Sequence, residues 1–301
     1  MKTIITIDGG IGRAITALPA LIYYAQHNKD FNVMIHGWDF VTWGIPELQN
    51  KTFNPETKGV FDNYFWNADK IIAPEPYRVP AYYRNEISLI EAFHQEINNS
   101  TDYENLPKDY FKLSVFEELK GHEVVHYAKE HQKKQKTIVI QPYGSSANKC
   151  PMGVYDPSFR SIPEQMYVRL INLLSKDFNI IYMGAIEFQD YLSYKPQPDP
   201  SLRDWVGIIK AADYFIGCDS CGQHMAKGVG KDASVFLAGT HRKNVSYDDF
   251  HIIERDVPYY SAPMRICSYD STLACRLNEE RINFTDDEIM KAYEEIMERA
   301  K

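Results

Sequence analysis

The sequence predicts an α/β protein with two doubly wound domains facing a cleft and a closing C-terminal helix. Three observations carry that expectation. Short apolar runs rich in β-branched residues alternate with longer runs of helical period, the order that produces parallel sheets. The alternation begins at the N-terminus and restarts after a charged run, HQKKQK at 131–136. The length, 301 residues, suits two medium domains.

Taken in order, TIITI at 3–7 is a short β-branched run and reads as a buried strand. DGGIG follows as a turn, then RAITALPALIYYAQH as a helix in which Pro19 starts a new segment or makes a kink. FNVMIHGW is the second strand, so the opening is a βαβ unit. Residues 44–110 are rich in Pro, Tyr, Asn and Trp and show less pattern, with DKIIAP as a strand and ISLIEAFHQEI as a helix. LSVFEELKGHEVVHYAKEH holds one or two helices, with Gly121 as a break. The first domain is placed at 1–134.

The second domain, 135–284, opens on the strand TIVIQ. The helix IPEQMYVRLINLLSKD follows, with Pro163 near its start as first-turn proline allows. FNIIYMG, DYFIGCD and KDASVFLAG read as further strands, SLRDWVGIIKAA and GQHMAKGVG as the helices between them. VSYDDF through ACRLN is irregular. The closing helix, 285–301, starts with Thr285 and Glu288 at capping-box spacing. Ile289, Tyr293, Ile296 and Met297 line one of its faces, which is expected to pack back on the first domain.

Composition narrows the function. Hydrophobic residues make up 44% and charged residues 25%, a globular profile. A net charge of −8 argues against a sequence-independent nucleic-acid binder, and HQKKQK reads as a solvated linker. No stretch approaches a membrane span, and the apolar run in MKTIITIDGG is too short for a signal peptide, so a cytoplasmic protein is expected. Five cysteines, Cys150, Cys218, Cys221, Cys267 and Cys275, are an odd and sparse set that reads as free thiols. Cys218 and Cys221 have C-x-x-C spacing but no second pair with zinc spacing.

The most informative stretch is FIGCDSCGQHMAKGVG at 215–230, a strand, a sharp turn and a helix start. Doubly wound sheets bind ligands outside the carboxyl ends of their strands. A helix beginning there offers backbone N–H groups to a phosphate. Ser220, Cys221 and Gly222 are small enough for an anion to approach, and Asp219 can fix the turn through its side chain. His224 either donates to a phosphate oxygen or packs as an ordinary helix histidine. In the first loop, Gly9, Gly10 and Gly12 keep the backbone slim. Gly10 and Gly12 form a partial G-x-G-x-x-G whose third glycine is Ile15, an incomplete dinucleotide fingerprint.

These segments resemble a family in their order. DSCGQHMAKGVGKDASVFLAGT is similar to the D-[ST]-G-x-x-H-x-A-x-x-x-G-x-P-x-x-x-L-[FY]-G-x-T segment of the heptosyltransferase-like glycosyltransferases. It departs from that segment by a shift before Gly222, by Asp232 in the proline place and by Ala238 in the aromatic place. IVIQPYGSSANK resembles the family's V-x-x-H-P-G-[AS]-S strand and turn, which points to Ser145. After a longer insertion, FRSIPEQMYVRLINLL resembles its K-R-W-P-x-E-x-[FW]-x-x-L. LPAL at 18–21 and a cysteine-bearing tail, Cys267 and Cys275, ahead of the last helix complete the likeness.

The resemblance implies a GT-B fold with two Rossmann-like domains and an inverting transfer of sugar from a nucleotide-sugar donor to an acceptor hydroxyl. The donor diphosphate would lie on residues 219–224 in the second domain. No D-x-D is present, so neither metal nor other cofactor is expected, and leaving-group charge falls to the helix dipole and to cations. Arg160, placed like the family's Lys-Arg pair, is the first cation and Lys149 the second. The family's general base is an aspartate in the first loop, and Arg13 stands there. Arginine stays protonated, so Asp8 is the nearest base and Asp39 the next, while Arg13 is expected to bind a phosphate. The resemblance implies a bacterial surface glycan as acceptor. Two other readings stay open: a phage-type enzyme modifying hydroxymethylated bases in DNA, served by the aromatic residues of 38–83, and a non-catalytic nucleotide-sugar-binding protein.

Overall fold

The computed structural model describes residues 1–151, 153–186, 191–257 and 281–300. The chain forms two compact units, Met1–Ser114 and Val115–Lys301.

The first unit holds β1 (Thr3–Ile7), α1 (Ile11–His27), β2 (Phe31–Ile35), β3 (Thr52–Phe53), β4 (Lys70–Ile72), α2 (Pro80–Tyr83) and α3 (Leu89–Asn98). Its sheet has the order β3-β2-β1-β4, and every pairing is parallel. β1 is central and covered on both faces, which suits its β-branched run of Thr and Ile. Helix α1 continues through Pro19 without a break, and residues 13–22 of it are buried. Ser88 and Glu91 close a capping box at the start of α3.

The second unit begins with α4 (Val115–Gln132), one continuous helix. It continues through β5 (Lys136–Gln141), the antiparallel hairpin β6 (Asn148–Cys150) and β7 (Gly153–Tyr155), α5 (Glu164–Leu174) and β8 (Phe178–Tyr182). Then come α6 (Leu202–Ala211), β9 (Tyr214–Cys218), α7 (Cys221–Gly228), β10 (Ala233–Phe236), α8 (Arg242–Val245), β11 (His251–Ile253) and α9 (Asp286–Ala300). The sheet order is β11-β10-β9-β5-β8, again all parallel.

Gly121 is a packing contact and not a helix break. A Cβ there would collide with the backbone carbonyl of Gly207 on α6, and one at Gly207 with the carbonyl of Glu117. The two glycines let α4 and α6 touch backbone to backbone. Lys120 pairs with Asp204 at 2.7 Å, Lys210 with Glu118 at 2.6 Å, and Arg203 with Glu117 across the same interface. This contact places α4 in the second unit, so the units part at 114/115 and not at 134/135. α9 likewise belongs to the second unit's core, through Ile289, Ala292, Ile296 and Ala300, and not to the first domain as its apolar face suggests from sequence. Its capping box forms as expected, Glu288 N–H donating to the Thr285 hydroxyl at 3.3 Å. Cys267 and Cys275 lie outside the described residues.

Each sheet reverses its strand order once. In the first unit the reversal falls between β1 and β4, and in the second between β5 and β9. Loops leaving the carboxyl ends of such a strand pair diverge and open a crevice, so each unit has one place where its topology favours a ligand.

Candidate functional site

At the reversal point of the second unit, β9 runs into Asp219 and Ser220 and α7 starts at Cys221, as the sequence predicts. Ser220 is the N-cap residue but makes no capping bond of its own. Gln141, the last residue of β5, supplies one instead. Its carboxamide oxygen accepts the Gly222 N–H at 2.9 Å, and its nitrogen donates to the Ser220 hydroxyl at 3.2 Å. A side chain on residue 222 would strike that carboxamide and the Phe215 ring. Gly222 is therefore small to admit Gln141, and one of the N–H groups expected to face an anion is already engaged.

Asp219 is buried and accepts from the Thr240 hydroxyl at 2.9 Å. Burial raises its pKa, partly offset by the Arg160 charge and the Thr240 hydrogen bond. His224 is also buried, with Nδ1 2.7 Å from the Tyr247 hydroxyl. Burial lowers its pKa to about 4, so the ring is neutral at pH 7. Any phosphate contact from it is a neutral hydrogen bond. Cys218 and Cys221 are held as thiols, since burial raises both pKa values.

The cation comes from the loop before α5. Asp156 organises this loop by accepting four hydrogen bonds, from the backbone and hydroxyl of Ser158 at 2.8 and 2.5 Å and of Ser161 at 3.1 and 2.5 Å. Ser161 in turn accepts the Gly144 N–H at 2.9 Å, tying the loop to the carboxyl end of β5. Phe159 takes a left-handed conformation, φ 52°, held by the Gly239 N–H on its carbonyl at 3.2 Å. A bulky residue there stores strain of about 1–2 kcal/mol, a cost seen where surrounding structure dictates a conformation. The next residue is Arg160. Its Nε donates to Ser158 at 3.1 Å and its Nη2 to Ser146 at 3.2 Å. It forms no ion pair among the described residues. Ser145, the serine picked from the sequence, is exposed, and it is Ser146 that meets Arg160. Lys149 sits exposed on β6, opposite Val154 of β7.

At the reversal point of the first unit, Gly9 has φ 90°, a conformation open to glycine, and Gly10 caps α1, its carbonyl accepting from Arg13 and Ala14. Gly12 lies in the first turn of α1. Asp8 is 78% exposed, 3.3 Å from the Arg13 guanidinium. Arg13 itself is only 5% exposed and is bound within the unit. Its Nη1 pairs with Glu75 at 3.1 Å, its Nη2 donates to the Pro74 carbonyl at 2.7 Å, and Tyr77 and Phe93 lie over it at 5.3 and 5.4 Å. The remaining Nε is buried without a hydrogen bond. Arg13 thus spans β1 and β4 as an internal tie, and its expected role toward a phosphate finds no open face in these contacts. Asp39 accepts from Asn54 at 3.3 Å and borders a cavity of about 450 Å³ with Trp43. Trp38 donates to the Gly9 carbonyl at 2.9 Å.

The sequence missed Gln141, Ser146, Asp156, Ser158, Ser161 and Thr240. The nearest signal was Gln141, which stands where the resembled pattern has histidine. Among the described residues, no group of His, Cys, Asp or Glu is arranged to hold a metal ion, and no helix is long and apolar enough to cross a membrane.

The fold recurs in solved structures. Escherichia coli heptosyltransferase WaaC with ADP superposes with a TM-score of 0.55 at 12% identity, over 100% of this chain and 99% of that one. This chain has the heptosyltransferase fold. The E. coli ADP-heptose lipopolysaccharide heptosyltransferase II gives 0.56 at 10% identity, over 97% and 99% of the two chains. The dodecameric iron-containing heptosyltransferase TibC of enterotoxigenic E. coli, in complex with ADP-D-β-D-heptose, gives 0.61 at 10%, over 100% of this chain and 77% of that one. At such identities the likeness is one of fold, two Rossmann-like domains of GT-B type. No family model matches the chain, and no curated protein sequence does.

Proposed function

We propose that this protein is an inverting, metal-independent glycosyltransferase that moves a sugar from a nucleotide-sugar to an acceptor hydroxyl. The observation that carries the reading is Arg160. A guanidinium is positioned by two neutral serine hydroxyls, without a carboxylate partner among the described residues, where the second sheet reverses its strand order. A cation held this way keeps its charge available for an anion.

In this reading the donor diphosphate lies against Arg160, Ser220 and the N-terminal end of α7, with Lys149 as a second cation. Asp8 takes the acceptor proton as the acceptor oxygen attacks the anomeric carbon. The carbon–phosphate-oxygen bond breaks, and the nucleoside diphosphate leaves with its added charge met by Arg160 and the helix dipole. Inversion is favoured because, among the described residues, both carboxylates at the corner are engaged and neither is free to act as a nucleophile. Asp156 is saturated by four hydrogen bonds, and Asp219 is buried on Thr240. Metal independence is favoured by a fixed cation at the corner and by a sequence without D-x-D. Neighbours solved with ADP or ADP-heptose make ADP-sugars the first donors to try, with a surface glycan as acceptor.

The test is nucleoside-diphosphate release from ADP-, GDP- and UDP-sugars, with and without EDTA. One donor is expected to turn over equally in both, giving a product of inverted anomeric configuration by NMR. Retention of configuration, or loss of turnover in EDTA that added metal restores, would contradict the mechanism.

A further inference from the structure

The β6–β7 hairpin lies in the stretch where this chain is longer than the pattern it resembles, and it builds a cavity of about 640 Å³ against α5. That volume is within the range of small-molecule sites, roughly 300–1,000 Å³. Its walls are of two kinds. Tyr143 and Phe159, both buried, and the exposed Tyr155 form its aromatic wall, with Tyr155 and Phe159 edge to face at 6.3 Å. Glu164, Gln165, Asn283, Asp156 and Ser161 supply polar groups, and among the described residues no lysine or arginine lines the space.

Glu164 fixes the hairpin to the helix. Its Oε2 accepts the Val154 N–H at 2.6 Å, and its carboxylate occupies the place a Cβ of residue 153 would need. Gly153 has φ 117°, so the hairpin is shaped to let that carboxylate in. Glu164 has no ion pair among the described residues, which leaves an uncompensated negative charge on the wall. Tyr155 is 54% exposed although it borders the cavity, an apolar ring on offer to a partner.

We infer that this cavity is a saccharide-binding site, for neutral or amine-bearing sugars and not for phosphorylated or acidic ones. Aromatic rings stack on the C–H face of a sugar, and planar carboxylate and amide groups take its hydroxyls in pairs. The uncompensated carboxylate favours hydroxyl or ammonium donors and repels anions. Arg160 and Ser220 do not line it, while Asp156, Phe159 and Ser161 of the Arg160 loop form its near wall, so a sugar here sits beside the donor corner and not on its cation.

The test is ligand-observed NMR on the full chain with three probes: N,N′-diacetylchitobiose, glucosamine and glucose 6-phosphate. The first two are expected to bind and the third not. Tyr155→Ala, at a half-exposed hairpin position, should weaken binding about tenfold. Glu164→Gln keeps an acceptor for the Val154 N–H and should selectively weaken glucosamine. ADP added to the same sample reports on the corner separately, so failure there and failure here are distinguishable. No binding of either sugar, a preference for glucose 6-phosphate, or binding unaffected by Tyr155→Ala in a protein of unchanged circular dichroism would overturn the inference.

Discussion

Arg13 and Arg160 occupy the same topological place in two sheets and are handled in opposite ways. Each lies at the point where a parallel sheet reverses its strand order. Arg13 is buried and paired with Glu75, Asp8 and the Pro74 carbonyl, while among the described residues Arg160 is held by hydroxyls alone. A guanidinium neutralised by its own unit ties β1 to β4. One held through hydroxyls has no direct carboxylate contact among the described residues, although the buried Asp219 feels its charge, and on the proposed function it is left for an incoming anion. Topology therefore marks two candidate crevices, and the partners of the arginine decide which one is built for an anion.

The largest effect that sharpens this contrast belongs to the first unit. If its crevice serves proton transfer, Asp8→Asn should lower turnover by about 10² to 10⁴ with donor affinity unchanged. Full turnover in Asp8→Asn, with loss in Asp39→Asn, would move the base to the cavity beside Trp43.

Arg13→Ala should act on the fold. Removing it leaves Glu75 without its cation and opens space between Tyr77 and Phe93, which should cost about 3 kcal/mol in chemical denaturation. Nucleotide affinity should hold. A stable variant that loses nucleotide binding would erase the distinction between the two arginines.

His224 sets a pH signature on the second unit. Its folded pKa, about 4, is below the ordinary value of 6.5, so the unfolded chain binds the proton more readily. The neutral ring's contribution is complete above pH 6.5 and is lost as pH falls toward 4. Near pH 4 the loss should reach about 3 kcal/mol. His224→Asn should flatten that slope in denaturation midpoints measured from pH 7 to pH 4. An unchanged slope would mean that the histidine is not buried as described.

The alternation of elements was legible because strands buried on both faces read as near-continuous apolar runs, as β8, β9 and β10 of the second sheet do, while β2 of the first alternates buried and half-buried residues. β3 has two residues and β11 three, too few to show a period. The unit boundary was displaced because Gly121 looks like a break in one dimension and is a helix contact in three. The corner at 219–224 was found from its strand–turn–helix grammar, but what occupies it was not. Gln141 meets Gly222 from 81 residues away, and Arg13 meets Glu75 from 62. Pairings at that separation leave no periodic trace. Burial explains the remaining gap, since position in a first turn gave no sign that His224 would be enclosed and neutral.

The central claim is that Arg160 is kept for a nucleotide while Arg13 is kept for the fold. Calorimetric titration of ADP, or of the nucleotide released in the donor screen, into the wild type and Arg160→Ala tests it most directly. A charge-assisted hydrogen bond contributes about 1.5–3 kcal/mol, so affinity should fall roughly tenfold to a hundredfold with the melting temperature unchanged. Equal affinity in the two proteins would contradict the account.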